Sequence, residues 1–323
     1  MAYFLGVDAG GTKAEFVLGD ETRELARART GTLKLMKTDA ETAEANLRSG
    51  LESLQSATRV EAQLVTRTCV GTAGETVPLV TAWLREAFAR HVGGELLILG
   101  DVEIALDSAF PGGRGVLVLA GTGSNVAGRT AAGQVVRAGG WGPALADQGS
   151  GHFLGLEGLR RGFLARDEVR PTRLLEMARE FWELESLGAL VEYANANPAP
   201  DYSKLAPGVV ALADQGDGVA REVVEQGGRD LAMLAGLVIE RIRALENSGP
   251  AGQFPAPGVA VAGSILERVA GVRNALAAEL RQRYPGIEVM EKPADPPAGA
   301  LWRARRGSVQ RTAYSVQGSE KHA

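Results

Sequence analysis

One short pattern, an apolar strand that runs into a glycine turn and leaves it as a second strand, occurs twice in this sequence. The first copy is FLGVDAGGTK at residues 4–13, and the second is GVLVLAGTGSNVAGRT at residues 115–130. Apolar residues on both sides of each turn predict a β-hairpin, and the glycines let a ligand approach the backbone closely. The repeat therefore predicts two related halves, each beginning with such a hairpin.

Neither turn fits the two familiar phosphate loops. A Walker loop carries lysine and a hydroxyl residue after its last glycine, a dinucleotide loop reads G-x-G-x-x-G, and both open a helix, whereas a strand follows here. Exposed N–H groups in a turn favour an anion, and a carboxylate beside them, Asp8, requires a cation between the two. A plain tight hairpin also explains the first turn alone, but the pair predicts a phosphate chain with Mg²⁺, held from both sides of a cleft.

The chain of 323 residues is long for a single core, which favours two domains. FPGGRG at residues 110–115 is the natural boundary. We therefore expect a first domain at residues 1–113, a second at residues 114–305 and a polar tail at residues 306–323. Hydrophobic spacing predicts the main helices and late strands, which are helices at 39–54, 77–92, 151–165, 218–245 and 264–284 and strands at 258–263 and 287–290.

The composition excludes several classes of protein. A net charge of −4 and an isoelectric point near 5.6 give no basic surface for nucleic acid. The one cysteine, Cys69, excludes an internal disulfide and a cysteine-rich metal site. No apolar run approaches the ~20 residues of a membrane-spanning helix, and the N-terminus carries no basic leader. We therefore expect a cytoplasmic protein that binds neither nucleic acid nor membranes.

Four motifs in order resemble the superfold shared by sugar kinases, actin and Hsp70: DAGGT at 8–12, GTGSN at 121–125, GGWGPALADQGSG at 139–151 and AGS at 262–264. Within it, the chain resembles the BadF/BadG/BcrA/BcrD-type ATPase family, and most of all its N-acetylglucosamine kinase branch. The resemblance implies an α/β fold of two ribonuclease H-like, actin-like domains, each a mixed central sheet flanked by helices, with a cleft between them. It also implies ATP and Mg²⁺ as cofactors, a small-molecule sugar substrate and a homodimer.

The resemblance also implies which residues bind ATP. Asp8 would hold Mg²⁺ through water, as suits an ion that dehydrates reluctantly. Two turns would bind the phosphates and a helix start would lie near the adenosine. These residues are Gly10, Gly11, Thr12 and Lys13 in the first turn, Gly121, Thr122, Gly123 and Asn125 in the second, and Gly263 and Ser264 at the helix start. A plain helix N-cap is the alternative for Ser264.

Asp101 follows the apolar strand ELLILG, and the carboxyl ends of strands are where ligands gather in α/β sheets. We expect it to accept the proton of the attacking sugar hydroxyl, the role of the family's catalytic aspartate. An ordinary carboxylate, with a pKa of ~3.9, takes this proton late, as the bond to phosphorus develops. The alternative is that Asp101 only caps the following helix. Asp107 is expected to be an ordinary acid on the helix surface.

Two other segments are candidates for the sugar site. In GGWGPALADQGSG, Gly140, Trp141 and Asp147 combine an aromatic face with a carboxylate, and a buried tryptophan with a helix-capping aspartate is the alternative. In TGTLKLMK, Thr32 and Lys34 stand where the resembling kinases carry an asparagine. A lysine at this position would bind an acidic substituent, such as the lactyl group of N-acetylmuramic acid, unless it is simply solvated.

The leading hypothesis is therefore ATP-dependent phosphorylation of an amino sugar, with N-acetylglucosamine as the first choice. N-acetylmuramic acid and glucosamine are the alternatives, followed by a nucleotide-binding ATPase or regulatory module without phosphotransfer. An activator of radical dehydratases is disfavoured because its bridging iron–sulfur cluster needs four thiolates, and one cysteine per chain supplies two in a dimer.

Overall fold

A computed structural model describes residues 1–35, 37–246 and 254–306. The polar tail expected at residues 306–323 lies outside the described residues, apart from Arg306. The chain divides into two compact units. Among the described residues, unit 1 comprises residues 1–35, 37–115, 129–135 and 294–306, and unit 2 comprises residues 116–128, 136–246 and 254–293.

The described residues form nine strands, which are β1 Tyr3–Ala9, β2 Lys13–Gly19, β3 Glu24–Gly31, β4 Val65–Gly71, β5 Glu95–Leu99, β6 Gly115–Ala120, β7 Ser124–Arg129, β8 Val135–Ala138 and β9 Val259–Ala262. The same residues form eleven α-helices, which are α1 Ala40–Thr58, α2 Pro78–His91, α3 Asp101–Ala109, α4 Gly151–Asp167, α5 Leu174–Phe181, α6 Leu187–Ala194, α7 Ala206–Asp214, α8 Gly218–Leu245, α9 Ser264–Arg268, α10 Ala270–Arg283 and α11 Pro296–Arg306. Among them, no helix is both long and apolar enough to cross a membrane.

The sheet of unit 1 has the strand order β3-β2-β1-β4-β5. β1 pairs with β2 antiparallel, and β1, β4 and β5 run parallel. Asp8 of β1 lies opposite Gly71 of β4, which lies opposite Leu99 of β5. The carboxyl ends of three parallel strands therefore reach the same edge of the sheet, and this edge positions the site.

Successive side chains of β1 point to opposite faces of the sheet and pack into two different hydrophobic cores. Leu5 and Val7 pack with α1 and α2 on one face, whereas Phe4 packs on the other face with Ile104 of α3 and Leu301 of α11. The sequence-based division at residue 113 put α11 in the second domain, and the structure puts it in unit 1. The reason is that its buried apolar side chains lie against the sheet of unit 1.

Unit 2 repeats this arrangement. Its sheet has the order β8-β7-β6-β9, which corresponds to β3-β2-β1-β4 of unit 1, and β6 and β9 are parallel. The prediction of a strand at residues 287–290 is wrong, because the structure has an isolated bridge between Val259 and Val289 in its place. Pro293 follows closely, and proline has no N–H with which to extend a ladder.

Helices bury the apolar faces of the second sheet. Leu231, Ala235 and Ile239 of α8 join β6 and β9 in one core with residues of α4, α7 and α10. The helix predicted at 264–284 is interrupted at Val269, whose extended backbone separates α9 from α10. The predicted fold class is confirmed: the chain is mixed α/β, with two sheets flanked by helices.

Candidate active site

Asp8 and Asp101 occupy the edge where β1 and β5 end. Asp101 is the first residue of α3, two positions after the end of β5 at Leu99. The N-cap of this helix is Gly100, not Asp101, and the Gly100 N–H donates to Glu103 Oε2 at 3.0 Å. Asp101 Oδ1 accepts the N–H of its neighbour Val102 at 2.8 Å. The N-cap alternative for Asp101 is therefore wrong.

The two acids share one electrostatic environment. Desolvation by burial raises the pKa of Asp8 to about 7, with further increases from the Asp101 and Glu15 carboxylates. The ammonium groups of Lys13 and Lys34 lower it, by less. A half-buried carboxylate beside another acid is stabilised in its charged form by a cation.

This environment fits Mg²⁺. Carboxylate oxygens are ligands that this ion accepts, and it keeps several waters when it binds phosphates. Within the described ranges, no group of three or more His, Cys, Asp or Glu side chains is placed to form an all-protein metal cage. Asp8 is the residue that would hold the ion, through water as the sequence analysis expects.

The first glycine turn is supported by the segment that follows β3. Thr32 Oγ1 donates to the Gly10 carbonyl at 2.7 Å and accepts the Lys34 N–H at 3.0 Å. Asn46 of α1, which the sequence analysis did not single out, donates from Nδ2 to the Thr32 carbonyl at 3.0 Å. The structure thus brings Thr32 to the first turn, with its hydroxyl engaged in holding Gly10, while Gly11 and the exposed Thr12 form the tip.

The two predicted lysines both lie near Asp8, since the ammonium group of each lowers the pKa of Asp8. Lys13 forms an ion pair with Glu15 at 2.8 Å. Lys34 is half-buried, and its ammonium is close enough to lower the pKa of Asp8. Lys34 therefore belongs to the charged surroundings of the site, and its contact with a substrate stays a prediction.

The second glycine turn, like the first, has an exposed threonine at its tip. Thr122, like Thr12, is the exposed residue at the tip. The Gly121 N–H donates to the Gly123 carbonyl at 2.8 Å, and the first N–H groups of α4 support the turn. Gly151 donates to the Gly121 carbonyl at 2.7 Å, so the turn and the start of α4 form one unit.

Asp147 has a role within the protein that the sequence did not reveal. Its Oδ1 accepts the Ser124 N–H at 2.6 Å, and its Oδ2 accepts the Ser150 hydroxyl at 3.1 Å. Ser150 caps α4 by accepting the Phe153 N–H. Ser150 stands directly before an apolar helical segment, and this N-cap signal in the sequence would have identified Ser150 as the cap of α4. Asp147 thus joins the second turn to the start of α4.

The loop around Trp141 lies beside the second turn. A Cβ on Gly140 would lie 3.0 Å from Asn125 Cγ, which makes these two predicted residues neighbours. Trp141 is 73% exposed, so the alternative of a buried tryptophan is wrong. Three buried polar oxygen atoms of the same region have no hydrogen-bond partner among the described residues: Ser124 Oγ, Asn125 Oδ1 and Gln148 Oε1. Such atoms fit a site in which a bound ligand completes the hydrogen bonding.

Gly263 and Ser264 also lie at the second turn. The N-cap of α9 is Gly263, and Ser264 is exposed, so the N-cap alternative for Ser264 is wrong. A Cβ on Gly121 would lie 3.8 Å from Ser264 Oγ. The residues predicted for adenosine and for phosphate therefore adjoin each other in unit 2.

Asp107 is not the surface acid that the sequence analysis expected. Its side chain is 0% exposed and contacts two arginines of unit 1. Arg129 Nη1 donates to Oδ1 at 2.6 Å, and Arg303 donates to Oδ2 through Nε at 2.8 Å and through Nη2. Both arginines are distant in sequence, so no local pattern indicated the pairing.

Comparison with known proteins reveals relatives along nearly the whole chain. The profile of the BadF/BadG/BcrA/BcrD ATPase family matches residues 5–301. N-acetyl-D-glucosamine kinase of Dictyostelium discoideum is 27% identical over 314 residues, which cover 92% of this chain and 96% of that protein. N-acetylmuramic acid/N-acetylglucosamine kinase of Clostridium acetobutylicum is 23% identical over 311 residues, which cover 94% and 99%.

Solved structures agree with the fold. A protein of Chromobacterium violaceum described as an N-acetylglucosamine kinase superposes with a TM-score of 0.70 at 25% identity, over 93% of this chain and 98% of that chain. A ROK family glucokinase from Streptomyces griseus superposes with a TM-score of 0.57 at 18% identity, over 95% and 100%. The second likeness extends the same fold to more distant sugar kinases.

Proposed function

Because the chain belongs to the BadF/BadG/BcrA/BcrD ATPase family, we propose that it is an ATP-dependent kinase that phosphorylates a hydroxyl of an amino sugar, with N-acetylglucosamine as the preferred substrate. One observation carries this proposal: Asp101 begins α3 at the edge of the sheet where β1, which carries Asp8, ends and leads into the first glycine turn. The names of the similar kinases of Dictyostelium discoideum and Clostridium acetobutylicum support the choice of an amino sugar.

In this proposal each step of phosphoryl transfer is assigned to named residues. Asp101 accepts the proton of the sugar hydroxyl as the oxygen bonds to the γ-phosphorus, and the P–O bond to ADP breaks. Gly10, Gly11, Thr12 and Lys13 of the first turn and Gly121, Thr122, Gly123 and Asn125 of the second turn are the proposed phosphate-binding residues. Asp8 would hold Mg²⁺, which would supply charge neutralisation for the phosphate oxygens. Positioning of donor and acceptor supplies up to ~7–11 kcal/mol of the barrier reduction.

The substrate contacts follow from the same assignment. Gly140 and Trp141 bind the sugar, and the exposed ring of Trp141 offers an apolar surface to a sugar face. The two oxygens of Asp147 accept hydrogen bonds from Ser124 and Ser150, so a direct contact of Asp147 with the sugar stays a prediction that the Asp147→Ala variant tests. Gly263 and Ser264 lie against the adenosine. We also propose that the protein is a cytoplasmic homodimer. Gel filtration of the purified protein with light scattering tests the dimer, because it measures the molar mass of the particle in solution.

The test is an ADP-release assay over a panel of amino sugars with Asp101→Asn beside the wild type. The wild type should release ADP only with a sugar, and removal of Mg²⁺ by a chelator should abolish release. Asp101→Asn should lower kcat by about 10²–10⁴-fold, the usual contribution of a general base, with ATP affinity nearly unchanged. Glu86→Gln is the control because Glu86 is an exposed acid on α2, with 71% of its side chain accessible.

Sugar-independent ATP hydrolysis, equal in the wild type and Asp101→Asn, would contradict the kinase assignment. It would instead favour a nucleotide-binding module without phosphotransfer. Phosphorylation that survives Asp101→Asn with wild-type kcat would retain the kinase but remove Asp101 from the chemistry.

A second substrate candidate is an amino sugar with a carboxylate, such as N-acetylmuramic acid. The observation in its favour is that Lys34 is half-buried in the charged surroundings of Asp8. A cation there would pair with an acidic substituent. Comparing kcat/KM for N-acetylglucosamine and N-acetylmuramic acid decides between the two substrates.

A further inference from the structure

We infer that α11 is a positioning element that fixes the helix carrying Asp101 against the strand carrying Asp8, and that the buried Asp107–Arg303 pair is its key contact. The inference rests on the proposed function, because it concerns how the two acids of that site are held. It assigns Asp107 and Arg303 as positioning residues, which act through α3 and touch neither substrate nor nucleotide.

The first contact is between α11 and β1. A Cβ on Gly6 would lie 2.3 Å from the Leu301 N and 2.5 Å from the Pro297 carbonyl oxygen. Only glycine permits the helix backbone to approach the strand this closely. Gly6 stands two positions before Asp8, so α11 rests directly on the part of β1 that delivers this carboxylate.

The second contact is between α11 and α3. A Cβ on Gly299 would lie 1.8 Å from the Ile104 carbonyl oxygen and 2.7 Å from the Ser108 N. At the start of α11, the Asp295 N–H donates to Ser108 Oγ at 3.0 Å. The two helix backbones are therefore in direct contact, and a small shift of α11 moves α3.

The third contact is the buried charge cluster. Asp107 lies six positions after Asp101 on the same nine-residue helix, which is about 9 Å along the axis. Its carboxylate receives Arg303 of α11 on one oxygen and Arg129 on the other. Arg129 also donates to the Gly113 carbonyl at 2.7 Å, so the cluster ties down the segment that leaves α3.

The far end of α11 is fixed to the sheet as well. Arg305 Nε donates to the Asp20 carbonyl at 2.8 Å, and Arg67 Nη1 donates to the Ala304 carbonyl at 3.0 Å. A helix anchored at both ends to β-structure is a rigid reference for α3. The charge pair then determines how α3 is held against that reference, because a buried carboxylate requires its partners in place.

The informative variant is Arg303→Met. It removes one of two cations around Asp107 and leaves a neutral pair with Arg129, so the variant keeps a compensated charge and a side chain of similar length. We expect kcat to fall by about tenfold or more, since a 1 Å misplacement of reacting groups costs about 10²-fold, while the KM values for ATP and sugar change little. Arg303→Lys, which keeps the cation, should recover much of the lost kcat.

Leu84→Ala is the matched control for lost stability. Leu84 is a fully buried residue of α2 in the other core of unit 1, and its truncation costs about 2–5 kcal/mol. Measured well below the unfolding temperature, this variant should keep wild-type kcat. Hydrogen exchange of the first-turn amides of α3, Val102 and Glu103, gives a readout without catalysis: it should quicken in Arg303→Met and not in Leu84→Ala.

Wild-type kcat and unchanged α3 exchange in Arg303→Met would overturn the inference and leave the cluster with a role in stability alone. A fall in kcat that Arg303→Lys does not reverse, or that Leu84→Ala reproduces, would also overturn it. If the wild type phosphorylates no sugar, the proposed function fails, whereas the exchange experiment still decides whether α11 holds α3.

Discussion

The replacement Asp147→Ala tests whether this carboxylate is needed to build the second glycine turn. The change removes the acceptors of the Ser124 N–H, at 2.6 Å, and of the Ser150 hydroxyl, at 3.1 Å. Ser124 and Ser150 are 5% and 0% exposed and Asp147 is half-buried, so water replaces the lost carboxylate only in part. An unsatisfied buried donor costs about 1–3 kcal/mol, and the Ser150 hydroxyl can rotate towards another acceptor. We therefore expect a loss of about 1–3 kcal/mol in the free energy of unfolding, which is the cost of the one donor that stays unsatisfied.

A loss of this size corresponds to a decrease of about 2–12 °C in the unfolding temperature, at about 2–4 °C per kcal/mol for a domain of this size. The assay is thermal unfolding of the ligand-free protein, followed by circular dichroism, together with calorimetric titration of ATP. Asp147→Asn keeps one acceptor and loses only the charge-assisted part, so its decrease should be about half or less. ATP affinity should fall with both variants, because Gly123 adjoins this carboxylate.

Asp201→Ala provides the matched control. Asp201 also accepts a backbone N–H and a hydroxyl, both from Ser203, but these hydrogen bonds are exposed. Its replacement should cost well under half as much as Asp147→Ala, because water replaces the lost acceptor. If Asp147→Ala unfolds at the wild-type temperature and only the KM for sugar increases, Asp147 is a sugar ligand and the anchoring argument is refuted.

Three further predictions concern other parts of the molecule. In Lys34→Met, kcat/KM for N-acetylmuramic acid should fall about 10–100-fold more than for N-acetylglucosamine, the range of one charge-assisted hydrogen bond, and equal losses would exclude a carboxylate contact. Gly263→Ala should unfold at a lower temperature than Gly286→Ala: both positions have positive φ, at 92° and 83°, but only at Gly263 would a Cβ clash, 2.5 Å from the Ala120 carbonyl oxygen. Burial alone would raise the pKa of Asp217, but hydrogen bonds from Arg173, Ala220, Thr172 and Val219 outweigh it and the pKa is lowered. The stabilising contribution of Asp217 is therefore present above the ordinary pKa of 3.8 and is lost as the pH falls through the lowered value. The difference in unfolding temperature between the wild type and Asp217→Asn should therefore shrink in acid. A difference that is independent of pH would contradict this prediction.

Much of the fold was readable from local sequence. Hairpins around both glycine turns were predicted from alternating apolar residues, and the structure has β1–β2 and β6–β7 there. The helices predicted at 39–54 and 218–245 correspond to α1 and α8, because amphipathic spacing over several turns is a strong local signal. The end of an apolar strand likewise indicated Asp101, since only the nearest residues are needed to define that position.

By itself, the sequence determined the two repeated hairpins, the position of Asp101 after a strand and the family to which the chain belongs. Only the tertiary structure decided that α11 returns to unit 1, that Asp147 holds the second turn and that Asp107 is buried between two arginines. Asp107 and Arg303 are 196 positions apart. Periodicity reports which face of an element is apolar, whereas a polar residue's partner is chosen by packing between distant segments, and that choice leaves no mark in the local pattern.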